Sequence, residues 1–161
     1  MKVYWGGPLF TQAERLWNRR CVAALRAMGY AVVLPQDEAV PFVKAGSIDA
    51  RRIAEHCYRQ SVDCEIMVVV LDGTDVDSGA SVEAGLRIGH QRALGAGGKT
   101  IGVRTDFRRS EDRHLNAMFR LLDAQIYLPS FKNEDPEALC QKIHKTILRL
   151  NSKRVKTKRT R

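Results

Sequence analysis

The sequence predicts one doubly wound α/β domain: a five-stranded parallel sheet of the flavodoxin-like or Rossmann-like kind, in the order 2-1-3-4-5, with flanking helices. Three observations carry this. Strand-like apolar runs alternate with amphipathic helical stretches along the 161 residues, the pattern that builds parallel sheets through crossover connections. The run "EIMVVVLDG" (65–73) is continuously apolar, as a central strand covered on both faces must be. The chain shows neither an internal repeat nor a linker before its C-terminal tail, and its length suits a single domain that buries roughly two-thirds of its unfolded surface.

The elements follow in order. "KVYWG" (2–6) reads as the first strand, closed by Gly-Gly-Pro. In "TQAERLWNRRCVAALRAMGY", residues Trp17, Cys21, Ala24, Leu25 and Met28 recur at helical spacing. Thr11 and Glu14 make a capping-box pattern at its start, and Gly29 stops it. "AVVLP" (31–35) is the second strand, and a polar loop runs from there to about Ser47. Residues 49–62 read as a helix with a weak apolar face. After strand three, a helix from about Ser78 to Leu94 is expected to lay Val82, Leu86, Gly89 and Ala93 on the sheet. "KTIGVRTD" (99–106) and "AQIYLP" (124–129) are strands four and five. A last helix over about 135–150 buries Leu139, Ile143, Ile147 and Leu150.

Composition excludes several classes. No apolar run approaches the ~20 residues that span a bilayer, and the N-terminus lacks the apolar core of a signal peptide. A soluble, cytoplasmic protein with no membrane contact is expected. The four cysteines, Cys21, Cys57, Cys64 and Cys140, contain no C-x-x-C pair; they read as buried free thiols rather than a zinc site or a disulfide frame. No metal or organic cofactor is called for. The net charge of +9 is mostly terminal: the last eleven residues, "NSKRVKTKRTR", hold six Lys/Arg and no acid, whereas the other 150 carry 21 basic and 18 acidic groups. Residues 1–150 are therefore read as the domain and 151–161 as a basic tail, expected to be disordered. A nucleic-acid contact through that tail is the lesser alternative to a solvated one.

In doubly wound sheets ligands bind beyond the carboxyl ends of the strands, at the switch point. The loops there are "GGPLF", "LDGTDVDSGASVE" and "RTDFRRSEDRHLN". Within the second, "DSGASVEAG" (77–85) sets Asp77 just before the helix and Glu83 in its first or second turn. Less than two turns separate them, so both can face one cleft. The helix start favours an ionised Glu83, and a partly desolvated carboxylate aimed at a cleft can serve as a nucleophile. Gly79 permits a tight turn, and Gly85 keeps the helix surface low beside the cleft. The plainer reading is a capped helix, since Asp and Ser are ordinary N-caps. Arg104, Asp106, Arg108 and Arg109 form a charged cluster that orders the loop after strand four or pairs with acids.

Five separated stretches are similar to the nucleoside 2-deoxyribosyltransferase family, over about residues 2–128. They are "VYWGGPLF", "LPQDEA", "LDGTDVDSGASVEAG", "GKTIGVRTDFRR" and "LNAMF". The third resembles the family's Asp-x-Gly-x-x-x-Glu-x-Gly signature. The resemblance implies transfer of a 2-deoxyribosyl group between nucleobases, with Glu83 as the nucleophile that takes C1′ as a covalent ester. It implies Tyr4 as the hydroxyl on that nucleophile and Asp77 on the sugar hydroxyls. Asn116 would be donated to the sugar site of a neighbouring subunit, in a homo-oligomer. Gln36 and Asp37 lie where members contact the base; Gly7, Pro8 and Phe10 would shape the pocket wall. Cys57 stands eight residues before Glu65, where many members carry an aspartate that relays a proton to the leaving base. The alternatives are an N-glycosidase that releases the base from a nucleoside or nucleoside 5′-monophosphate, and a non-catalytic nucleotide-binding module with no need of Glu83. The nucleotide-cleaving branch tends to carry a Ser- and Arg-rich loop after strand one; this chain has "GGPLFTQAER".

Overall fold

The computed structural model of the protein describes residues 1–44, 47–95, 98–106, 115–128 and 135–158. Five strands, β1 (Lys2–Gly6), β2 (Ala31–Val33), β3 (Ile66–Val70), β4 (Lys99–Arg104) and β5 (Ala124–Tyr127), form one sheet in the order β2-β1-β3-β4-β5. Every pairing in it is parallel. The doubly wound α/β class and the 2-1-3-4-5 order are as predicted. Four longer helices, α1 (Gln12–Ala27), α2 (Ala50–Asp63), α3 (Ser78–Leu94) and α4 (Pro136–Lys158), flank the sheet. The segment read as a loop after β2 has its own order: a single turn at Pro35–Glu38, a 3₁₀ turn at Val40–Phe42, and a small antiparallel hairpin of Val43–Lys44 with Ser47–Ile48.

Alternation along β1 divides the core, because successive strand side chains point to opposite faces. Val3 and Trp5 join the cluster containing Cys21, Leu25, Ile143 and Ile147, from α1 and α4. Tyr4 joins Met67, Val69, Leu71, Ala80 and Ala84 on the other face, under α3. All of β3 is buried, as its unbroken apolar run requires. Thr11 and Glu14 form the expected capping box on α1, and Gly29 follows it at φ +89°. Cys21, Cys57, Cys64 and Cys140 are free and buried. No helix among the described residues is long and apolar enough to cross a membrane.

Two expectations are corrected. Val82 and Leu86 face outward, 60% and 49% exposed, and Gly89 and Ala93 are exposed too. The face of α3 that is buried consists of Ala80, Ala84 and Arg87. Small side chains let the helix approach the sheet closely, so the bulkier apolar residues are left on the outer side. The last helix also runs eight residues past its expected end at 150, to Lys158. Lys and Arg are good helix formers, and positive charge is favoured at a helix C-terminus, so most of the basic tail continues α4.

Candidate active site

β1 and β3 are adjacent, with Tyr4 level with Met67. That places the Tyr4 ring, fully buried, under the start of α3. Its hydroxyl donates to Glu83 Oε1 at 2.9 Å. Glu83, half-buried, sits in the second turn of α3. Asp77 caps that helix: its Oδ1 accepts from the Ala80 amide at 2.8 Å. A Cβ at Gly6 would lie 3.2 Å from Glu83 Oε2 and 3.0 Å from Met67 Cε, so the bare glycine leaves room for the carboxylate. The Cys57 thiol is buried on α2, and that burial raises its pKa.

Burial pushes the Glu83 carboxyl above its usual range, and the nearby Asp77 charge adds to this. The hydrogen bond from Tyr4 pulls the other way. The expected help from the helix start is replaced by this side chain, because end charges act mainly over the first turn. Burial, then the Glu83 charge, drives the Tyr4 phenol far above its normal range. Tyr4 thus keeps its proton and remains a donor. Any reaction that uses ionised Glu83 should lose kcat/KM as pH falls through this raised pKa. Tyr4→Phe, which removes a donor to the carboxylate, should move that acid limb to still higher pH; an unmoved limb would break the link between Tyr4 and Glu83.

The neighbouring loops are held by groups that the sequence reading passed over. Asn18 is buried in α1; its Oδ1 accepts from Trp5 Nε1 at 3.0 Å, and its amide donates to Pro8 O at 2.9 Å and Gln36 Oε1 at 3.2 Å. The Gln36 amide donates in turn to Arg15 O at 3.1 Å, while Arg15 donates to Leu9 O and Phe10 O. Gly7 packs on Val70, which a Cβ would approach to 2.9 Å. The Phe10 ring is 72% exposed. Asp37 is exposed and pairs with Arg19 at 3.4 Å. The bonds of Gln36 and Asp37 thus run to α1 rather than to Glu83.

At the exits of β3 and β4, Asp72 accepts from Thr105 N and Oγ1, both at 2.6 Å, and from Asp106 N at 2.9 Å. Arg104 donates to Leu71 O and Gly73 O, and Asp106 accepts from Gly73 N at 3.1 Å. Arg104 and Asp106 therefore hold the start of the loop after β3, and Arg104 pairs with an acid, Asp106, at 3.9 Å; Arg108 and Arg109 lie outside the described residues. The tight turn falls at Gly73, with φ +113°. Gly79 is instead the second residue of α3, where a Cβ would come within 3.2 Å of Asp77 Oδ1.

A buried tyrosine thus donates to a half-buried glutamate, and an aspartate caps the helix that carries that glutamate. The profile of one family, described as nucleoside 2-deoxyribosyltransferase, matches residues 3–118. The chain belongs to the nucleoside 2-deoxyribosyltransferase family. This is a family of enzymes that act on nucleosides and nucleobases. Similar solved structures share the fold. A conserved protein from Enterococcus faecalis V583 superposes with a TM-score of 0.66 at 23% identity, over 91% of this chain and 98% of that one. A 2-deoxyribosyltransferase from Bacillus psychrosaccharolyticus gives 0.60 at 21% identity, over 78% and 85%. The CMP N-glycosidase BcmB of Clostridium botulinum gives 0.58 at 14%, over 89% and 98%. Among curated proteins no sequence matches significantly.

One residue of the deoxyribosyltransferase-like set stands apart. Asn116 begins the 3₁₀ turn Ala117–Leu121, its Oδ1 accepting from Met118 N at 3.0 Å. It borders a mainly apolar cavity of about 470 Å³ with Ser81, Gly85, Ile88 and Arg92 of α3. At about 100° per residue, those positions lie on the flank of α3 opposite Glu83. Asn116 therefore lies across α3 from the Glu83 of its own chain.

Proposed function

We propose that the protein transfers the 2-deoxyribosyl group of a nucleoside between nucleobases, through a covalent ester on Glu83. The observation that carries this is the part-buried Tyr4–Glu83 hydrogen bond. Glu83 attacks C1′, the C1′–N bond breaks, and the electron pair leaves with the base. An incoming base then displaces Glu83 at C1′. Two inversions give net retention, as in retaining glycosidases. The negative carboxylate also stabilises the oxocarbenium-like transition state. Tyr4 holds one carboxyl oxygen and leaves Oε2 to react. Asp77, already an acceptor for the helix start, is placed to accept from a sugar hydroxyl.

A nucleoside suits the loop after β1 better than a nucleotide does. Its nearby cation, Arg15, donates to the backbone at Leu9 and Phe10, so it is engaged rather than offered to a phosphate. Incubation with deoxyinosine and adenine should yield deoxyadenosine; release of free base and free sugar alone would assign N-glycoside hydrolysis and overturn transfer. The basic end of α4 has no part in this chemistry, and removal of residues 153–161 should leave the transfer rate unchanged.

The opposed placement of Asn116 and Glu83 supports a homo-oligomer in which one subunit's Asn116 completes another's sugar site. Outward-facing Val82, Leu86 and Met118 offer apolar surface for such a contact. Mixing inactive Asn116→Ala and Glu83→Ala proteins under conditions of subunit exchange should restore part of the activity, because some mixed sites are intact. No recovery in mixtures shown to have exchanged would rule out the shared site.

A further inference from the structure

We propose that Asn18 is a positioning residue for the reaction at Glu83: its amide clamps the backbone after β1 and so fixes the wall against which the carboxylate stands. The inference rests on the reading of Glu83 as nucleophile. The Gly6 backbone is that wall, since a Cβ there would lie 3.2 Å from Glu83 Oε2. Two residues on, Pro8 O accepts from Asn18 Nδ2 at 2.9 Å. The next two carbonyls, Leu9 O and Phe10 O, accept from Arg15 at 3.0 and 2.7 Å. Residues 8–10 belong to no strand or helix, so three successive carbonyls are held by side chains of α1. Of the two holders, Asn18 is buried, at 3% exposure, and Arg15 is half-buried.

The chemistry of the partners allows one orientation of the amide. An indole N–H only donates, and a backbone carbonyl only accepts. Trp5 Nε1, itself buried, donates to Asn18 Oδ1 at 3.0 Å, so the NH₂ must face the loop. Both of its hydrogens are spent, on Pro8 O and on Gln36 Oε1 at 3.2 Å. Gln36 is oriented in turn, its own amide donating to Arg15 O. The clamp thereby ties β1, α1 and the turn after β2 into one unit at the carboxyl edge of the sheet, where ligands bind in such folds. A buried network with every donor matched to an acceptor has one arrangement, and a single wrong polarity breaks it. Without the clamp, Gly6–Pro8 would drift and Oε2 would lose its fixed place relative to C1′. A displacement of about 1 Å at a reacting atom costs on the order of 10² in rate.

The test compares full-length Asn18→Ala and Asn18→Asp with wild type, each assayed well below its unfolding temperature. Asn18→Asp keeps the volume and the acceptor for Trp5, but turns an oxygen towards Pro8 O and Gln36 Oε1. A role in packing alone would spare it. Both variants should lose about tenfold or more in kcat for transfer, with a smaller change in KM. Hydrogen exchange of the free protein should quicken in the peptide spanning residues 6–10 in both. The indole N–H resonance of Trp5 should move in Asn18→Ala and stay near its wild-type position in Asn18→Asp. Wild-type kcat in folded Asn18→Asp would overturn the proposal, as would unchanged exchange over residues 6–10. If the variants do not fold, the wild type decides: the Asn18 side-chain protons should exchange slowly with water, and rapid exchange would overturn the clamp. Persistent transfer by Glu83→Ala would instead remove the nucleophile reading, while the exchange arms still report whether Asn18 holds the loop.

Discussion

Glu83→Ala should abolish base exchange, with kcat down by about 10⁴-fold or more, because a covalent route without its nucleophile keeps only binding and the field of the pocket. Mass spectrometry of wild-type protein quenched with a deoxynucleoside, but no acceptor, should find the peptide containing Glu83 heavier by one deoxyribosyl group. Retained activity in the variant would end the assignment. Glu83→Gln adds a reading in stability. The folded protein raises the pKa of Glu83, so it prefers the protonated form. The contribution of this group to stability is complete below the unfolded pKa and is lost as pH rises through the folded one. At neutral pH the ionised side chain therefore weakens the fold, and Glu83→Gln should raise Tm there while leaving it unchanged in acid. Loss of activity with gain of stability is the signature of a group kept for chemistry.

Arg87→Ala should be among the most destabilising substitutions in the chain, at about 3–5 kcal/mol, the scale seen when a buried charged network loses a member. Arg87 is fully buried. It donates from α3 to Ser61 O and, at 2.8 Å, to Cys64 O, at the C-terminal end of α2. Carbonyls there lack helical partners and carry partial negative charge, so the guanidinium acts as both cap and counter-charge. Its burial lowers its pKa, but two carbonyl acceptors hold it in place. Truncation would leave a cavity and two orphaned acceptors. Thermal unfolding should show a drop of about 10 °C or more; a change of about 2 °C or less would mean that water replaces the guanidinium without cost. Glu83 lies one turn away on α3, so the surviving protein should also bind substrate poorly.

The fold was legible because its signals are redundant. The unbroken run of β3, the capping box of α1 and the apolar spacing of α1 and α4 each point to the same sheet. The inner face of α3 was not legible, because its contacts come from alanines and an arginine. Arg87 can be buried only because Ser61 and Cys64 present carbonyls to it, and those belong to another helix. Position mattered likewise for the site. The sequence placed Glu83 near Asp77, and the resemblance added Tyr4, but neither revealed Gly6, which makes room for the carboxylate, or Asn18, which ties the first loop to Trp5 and Gln36. A lone asparagine within an amphipathic helix carries no local signal of such a role. Cys57 stood out as a departure from the family pattern; its burial comes about only when α2 packs on α3.

Tyr4 and Glu83 are 79 residues apart in the chain, yet their bond lies at the centre of the site. Ordering so long a loop carries an entropic cost that must be met before the contact can form. An isolated half of the chain contains one member of the pair and no working centre. During refolding from denaturant, enzymatic activity should therefore return later than helical circular dichroism, making catalysis a clock for the joining of β1 to β3.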